Sequence, residues 1–338
     1  MAVCAAVSLA RSERGGPHAI APSLRMSTCD ARAAAKTRRA CARSCWRPPR
    51  RTTAAASAAI PAAIPATAEQ STPTAPVPPS PAPLHLVINL ARRADRLAAL
   101  QRLPLGVPWE RLDAVDGRSL TWDSIGAMGA LHADALREAR WAESEDVPTI
   151  CRRTGSFSPH FTIGSVGCAL SHRKAWETLA ASPTSDWALI LEDDVSRVAK
   201  DFQRQLRRLV KALPATWRLV YLGFHESTGQ LLPSAAMPSF VEIPKQSAVT
   251  GLFGYLLHQR GAATLLAPLA IFPLRYQVDV AVSNGGLWPV GTRFAIHPEA
   301  VLLASPKSEE GACDTDVQSL GHPAKQAHRN LPQTMLRL

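Results

Sequence analysis

Nowhere in this sequence do apolar residues run on for the roughly eighteen positions that a membrane span requires. Even the Ala-rich stretch around Ile60 is broken by Pro61 and Pro65, so an uncleaved transmembrane segment is not expected. Paired cysteines are missing too. Cys4, Cys29, Cys41 and Cys45 fall in the first fifty residues, which leaves Cys151, Cys168 and Cys313 for the rest of the chain. That odd number, without metal-ligand spacing, argues against a disulfide framework or a structural zinc site, and free thiols are expected. Acidic residues are scarce at one end only. Residues 1–83 hold eleven Lys or Arg against Glu13, Asp30 and Glu69, which is +8 of the net +11, while the remainder is nearly balanced at 27 basic and 24 acidic residues. The basic pI therefore describes the leader and is poor evidence for nucleic-acid binding by the folded part. The leader also lacks the interleaved aromatics that stack on bases. No nucleic-acid partner is expected, and no internal repeat is found.

Between Arg51 and Leu84 there is no basic residue, one acid and eight prolines. Such a composition cannot bury enough apolar surface to offset the entropy of ordering it, so residues 1–83 are expected to be disordered. The Arg- and Ser-rich, acid-poor first fifty residues fit a transit peptide for a plastid or mitochondrion, and residues 52–83 fit a Pro/Ala spacer. Residues 1–10 offer a rival, a short apolar stretch that would direct the chain to the ER or Golgi lumen, although no basic flank precedes it. The expected organisation is a leader (1–83), a folded domain (84–316) and a tail (317–338), and the folded part is long enough to bury a sizeable core.

From Leu84 onward short apolar runs alternate with amphipathic stretches, the pattern of an α/β domain. Residues 84–90 read as a strand, followed by a helix with Leu97, Leu100 and Leu103 on one face. Cys168, His172, Ala175, Trp176 and Leu179 form a helical stripe. Residues 187–191 read as a buried strand, Phe202, Leu206, Leu209, Val210 and Leu213 as an amphipathic helix, and residues 217–222 as the next strand. Residues 224–248, with Gly229, Pro233, Pro238 and Pro244, read as a long functional loop. A strand at 253–258, a helix at 260–266 and a strand at 293–297 follow. The alternation predicts a mostly parallel sheet covered on both faces.

The strand at 187–191 ends in Glu192, Asp193 and Asp194. In open α/β sheets, ligands bind beyond the carboxyl ends of strands, and three crowded carboxylates repel one another unless a cation or donors compensate. Oxygen-only ligands suit Mn²⁺ or Mg²⁺ and, through them, a phosphate-bearing substrate. The plainer reading is an acidic helix start, where Asp is a common cap.

Around this strand stand, in order, Val87-Ile88-Asn89-Leu90 with Arg93-Ala94-Asp95-Arg96, Ala114-Val115-Asp116-Gly117, Gly167-Cys168-Ala169-Leu170-Ser171-His172 with Trp176, and residues 189–195. In these segments the sequence resembles glycosyltransferase family 25. The segment 250–266 and Asp279 follow in family order, so the resemblance covers roughly residues 84–316. It implies a GT-A-like nucleotide-diphospho-sugar transferase fold, a UDP-sugar donor, usually with galactose, and inversion at the anomeric carbon. Ala91 stands where an acid is frequent, and the match after Pro298 is loose.

For such a transfer, a divalent ion held by Glu192, Asp193 and Asp194 would stabilise charge on the leaving phosphate, with Asp194 the strongest candidate ligand. Inverting attack also needs a base for the acceptor hydroxyl. Asp279, in an apolar neighbourhood, fits that role, as does Asp193, though Asp279 equally reads as a third metal-site acid or a helix cap. Asn89, Arg93, Asp116, Ser171 and His172 are the expected donor contacts. Without the family, Asn89 and Arg93 read as a cap and a surface residue, Asp116-Gly117 as a turn, and Asp95 with Arg96 as a local ion pair. Neighbouring Ser171 and His172 point about 100° apart on a helix and cannot form a nucleophile–base pair. His172 otherwise reads as a buried, hydrogen-bonded core residue, and His297 is a weak metal candidate.

The expected function is therefore a metal-dependent inverting glycosyltransferase, with a UDP-sugar donor and a hydroxyl-bearing glycan, lipid-linked glycan or protein as acceptor. A catalytically silent relative that still binds sugar nucleotides is the main alternative. An aspartate-nucleophile phosphohydrolase fits less well, since the other blocks do not match that class.

Overall fold

The computed structural model describes residues 82–149, 160–234, 237–297, 302–305 and 316–317. The expected leader, the tail from residue 318, Cys151 and Cys313 lie outside the described residues.

The chain enters through β1 (Leu84–Asn89), α1 (Ala94–Gln101) and β2 (Glu110–Asp113). Three helices follow, α2 (Trp122–Ala127), α3 (Ala133–Ser144) and α4 (Ile163–Ala181). Then come β3 (Trp187–Glu192), β4 (Arg197–Val198), α5 (Phe202–Ala212) and β5 (Leu219–Tyr221). A strand-rich segment supplies β6 (Glu226–Thr228), β7 (Leu232–Ser234), β8 (Met237–Glu242), β9 (Ala248–Thr250) and β10 (Gly254–His258). The rest is α6 (Gln259–Leu266), α7 (Val278–Ser283), β11 (Arg293–Ile296) and β12 (Leu303–Ala304).

Eight strands form the central sheet in the order β2-β1-β3-β10-β5-β11-β8-β7. The expectation of a mostly parallel sheet needs correction. β1 pairs in parallel with β2 and β3, as β5 does with β11, but β10 runs antiparallel between β3 and β5, and β8 antiparallel to β11 and β7. The sheet is mixed because no helix carries the chain back between β5 and β10. Without a crossover, the chain re-enters the sheet in the opposite direction. The expected loop at 224–248 is likewise built of short strands: β6 pairs with β9, and β7 with β8. Pro233 sits in β7, the sheet's edge strand, where a missing N–H breaks no ladder on the outer side.

Alternation along the strands sends side chains to two cores. From β1 and β3, Leu86, Ile88, Ala188 and Ile190 pack on the face covered by α4, α6 and α7, whereas Val87, Leu189 and Leu191 pack on the face covered by α1 and α5. The unbroken apolar run of β3 is thus a strand buried on both sides. On α5, Phe202, Leu206 and Leu209 are buried at helical spacing, leaving its basic residues outward. α4 is the largest support of the site. It starts with a capping box in which Thr162 and Ser165 satisfy each other's backbone N–H groups, and it buries Val166, Ala169, Ala175, Trp176 and Leu179.

Candidate active site

β1 and β3 lie side by side, with Ile88 opposite Glu192. Their carboxyl ends therefore bring Asn89 and the acidic trio together. Asn89 Nδ2 donates to Asp193 Oδ2 at 2.7 Å and to the Arg93 carbonyl at 3.0 Å, while Arg111 Nε donates to Asn89 Oδ1 at 2.8 Å. Arg96 Nη1 donates to the other Asp193 oxygen at 3.1 Å. Both Asp193 oxygens are thus engaged, although burial still pushes this carboxyl above its ordinary range against the help of Asn89 and Arg96. The expected Asp95–Arg96 pair is replaced: Asp95 pairs with Arg93 at 2.8 Å, and the Arg96 guanidinium reaches Asp193 instead.

Glu192 is held from the helix side. Trp176 Nε1 donates to Tyr255 Oη at 2.9 Å, and Tyr255 Oη lies 3.0 Å from His172 Nδ1, whose Nε2 lies 3.1 Å from Glu192 Oε1. The assignment that satisfies every group has the tyrosine donating to Nδ1 and Nε2–H donating to Glu192. Burial raises the Glu192 carboxyl, but the hydrogen bond from His172, helped by the electrostatic surroundings that include Arg96, holds it below its ordinary value.

Asp194 differs from both. Ser305 Oγ donates to its Oδ2 at 2.9 Å, yet its Oδ1 is buried with no hydrogen-bond partner among the described residues. Burial, reinforced by the charge of Glu192, pushes its pKa up to about 7. An uncompensated buried carboxylate beside a second acid is the arrangement that a cation relieves. Asp279, at the start of α7, accepts from Val280 N at 2.8 Å and Gly251 N at 3.2 Å. Burial nevertheless raises its pKa, and the charge of Glu192 adds to the rise.

A cavity of about 470 Å³ opens at these strand ends. Of the residues singled out in the sequence, Asp116, Ser171, His172, Glu192 and Asp193 line it, whereas Asn89, Arg93, Asp194, Asp279 and His297 do not. Asp116 is a turn residue that also faces the cavity: its Oδ1 accepts from Arg118 N at 2.9 Å, capping the turn Gly117–Ser119, and its Oδ2 accepts from Arg92 Nε at 2.9 Å. Ser171 is a clasp. Its Oγ accepts from Val115 N at 2.8 Å and donates to the Gly167 carbonyl at 2.7 Å, fixing the 114–117 loop on α4. Only glycine permits that approach at 167, since a Cβ there would lie 2.7 Å from the Val115 carbonyl oxygen.

Several residues of the site were not singled out in the sequence. Arg92, Arg118 and Asp316 line the cavity. His225 follows β5 and stacks on Phe253 at 5.0 Å between ring centroids, near enough to Glu192 and Asp279 to act electrostatically on both carboxyls. The rule that singled out Glu192, a polar residue at a strand's carboxyl end, extended a few residues into the segment after β5, would also have found His225. Cys168, free as expected, comes near His172 and Glu192, the three offering ligand atoms within 4.8 Å of one another.

A family model described as glycosyltransferase family 25 (LPS biosynthesis protein) matches residues 83–282. Among curated proteins, the mouse protein named inactive glycosyltransferase 25 family member 3 is 33% identical over 147 residues, covering 40% of this chain and 21% of the relative. The Drosophila melanogaster glycosyltransferase 25 family member is 28% identical over 184 residues, 54% of this chain and 27% of the relative. Mouse procollagen galactosyltransferase 2 is 25% identical over 185 residues, 53% of this chain and 27% of the relative. The matches thus span between about a fifth and just over a quarter of these relatives' lengths.

Proposed function

The chain belongs to glycosyltransferase family 25, and we propose that it transfers a hexose, galactose, from a UDP-sugar to a hydroxyl of a glycan, lipid-linked glycan or protein, with inversion, on a GT-A-like sheet. The observation that carries this reading is the meeting of carboxylates and guanidinium groups on one cavity at the ends of β1 and β3. Carboxylates suit a divalent ion and guanidinium groups suit a diphosphate.

The acidic trio fits Mn²⁺ or Mg²⁺ in its donor chemistry, with Asp194 Oδ1, buried and without a partner among the described residues, as the clearest sign. Asp194 and Glu192 would hold the ion, while Asp193, engaged by Asn89 and Arg96, braces the end of β1 against β3. Such an ion, when bound, supplies Lewis-acid stabilisation of the leaving diphosphate. His172 keeps Glu192 ionised and oriented. Asp279 serves as the base: it takes the proton of the acceptor hydroxyl as that oxygen bonds to the anomeric carbon and the bond from that carbon to the phosphate oxygen breaks, releasing UDP. Its raised pKa makes it a better proton acceptor than an ordinary surface carboxylate.

A silent relative is the second reading, favoured by similarity to proteins named inactive. The intact acidic trio favours turnover. UDP release by the purified full chain across a panel of UDP-sugars, each with candidate acceptors, separates the two. Release that selects UDP-galactose and needs Mn²⁺ supports the transferase. UDP binding without release from any donor and acceptor pair supports the silent relative.

A further inference from the structure

We infer that Arg92, Arg93 and Arg96 form an oxyanion subsite for the diphosphate of the donor, and that Asp316 occupies this subsite as an internal competitor. The inference rests on the sugar-nucleotide reading and adds to it where the phosphates bind and what must leave when they do.

The three arginines surround the start of α1, immediately beyond the carboxyl end of β1. Arg92 and Arg96 line the cavity, as does Asp316. The Asp316 carboxylate meets Arg92 Nη2 at 2.6 Å through one oxygen and Arg93 Nη1 at 2.7 Å through the other, with Arg96 Nη1 at 4.0 Å. One carboxylate is thus shared by guanidinium groups whose fork geometry suits the paired oxygens of a phosphate equally well. Its side chain is 15% exposed, so the pairing is less screened than one on an open surface. The pairing also shows in the carboxyl itself: burial alone would raise it, but Arg93 and Arg92 hold it below the ordinary aspartate range.

Asp316 is far away in sequence and is carried to the arginines by its own backbone. The Thr162 hydroxyl donates to the Val317 carbonyl. At Gly164 the backbone of Asp316 packs so closely that a Cβ would collide with its carbonyl oxygen. These contacts place a single carboxylate where a diphosphate, with more charge and more oxygens, would compete for the same donors. A phosphate-bearing ligand must therefore displace Asp316, and removing its charge must help the ligand.

The test is calorimetric binding of pyrophosphate and of UDP to the full chain, without divalent ions, for the wild type, Asp316→Asn, Gly164→Ala and Arg92→Gln. Asp316→Asn is expected to tighten both ligands by about three- to tenfold, and Arg92→Gln to weaken both by about tenfold. Gly164→Ala, which pushes the Asp316 backbone away without touching its charge, should tighten them in the same direction and guards against a folding defect in the first variant. Unchanged or weaker binding of both ligands in folded Asp316→Asn and Gly164→Ala overturns the inference. Pyrophosphate binding that responds as expected, with no UDP binding, leaves the subsite standing and removes the sugar-nucleotide reading. UDP binding indifferent to all three variants does the reverse.

Discussion

Asp194→Asn is expected to lower UDP release by roughly 10²- to 10³-fold, the effect of removing one preorganised electrostatic group from a transferase site. The substitution is nearly isosteric, and asparagine can still accept from Ser305, so the surrounding backbone is retained. What it removes is the charge at the buried oxygen that lacks a partner among the described residues. The same variant should be more stable than the wild type in chelator. The Asp194 pKa is pushed from 3.8 to about 7 in the folded state. Between about pH 4 and 7 the folded chain therefore retains a proton that the unfolded chain has released, and stability falls as pH rises through this window. Melting temperatures measured from pH 5 to 8 should show the wild type losing ground to Asp194→Asn as pH increases. Asp316 and Asp116, whose arginine partners lower their pKa values, act with the opposite sign and in the acid range, outside this comparison. A variant that is more stable and inactive identifies a carboxylate kept for chemistry at a cost in folding.

Trp176→Ala should cost about 3–5 kcal/mol in urea unfolding, the range for emptying a large buried aromatic site. Trp176 is fully buried on α4 beneath the sheet. Its indole N–H also holds the Tyr255 hydroxyl, which in turn orients His172 and, through it, Glu192. Trp176→Phe keeps most of the volume and loses the hydrogen bond, so it should cost less, with the tyrosine hydroxyl then held by His172 alone. A loss below about 1 kcal/mol for the alanine variant would mean that α4 is not the support this packing describes.

The elements legible in the sequence were those whose signal is local. β1, β3, α4 and α5 each carry their own periodicity, so their positions agree with the spacing of apolar residues. Strand direction is not local. Nothing within residues 254–258 says that β10 runs against its neighbours, because that follows from how the chain returns between β5 and β10. The short strands β6 to β9 were hidden by Gly229, Pro233 and Pro238, which read as loop punctuation, although Gly229 falls just after β6 and the edge strand β7 tolerates Pro233.

The site divides the same way. The acidic trio was visible as carboxylates ending an apolar strand, and the family resemblance gathered Asn89, Asp116, Ser171 and His172 around it. The resemblance could not separate contact from support. Ser171 holds a loop and His172 holds Glu192, so both shape the cavity through other groups as well as lining it. Asp316 was out of reach of any local reading, since its role comes from a pairing across more than two hundred residues.

The central claim is that the end of β3 holds a divalent ion through Asp194 and Glu192. Titration of Mn²⁺ into the full chain, followed by the loss of the free-ion paramagnetic resonance signal, tests it without depending on turnover. The account predicts one bound Mn²⁺ per chain in the wild type, a loss of about tenfold or more in affinity in both Asp194→Asn and Glu192→Gln, and a smaller change in Asp193→Asn. Equal Mn²⁺ binding by the wild type and Asp194→Asn would contradict it.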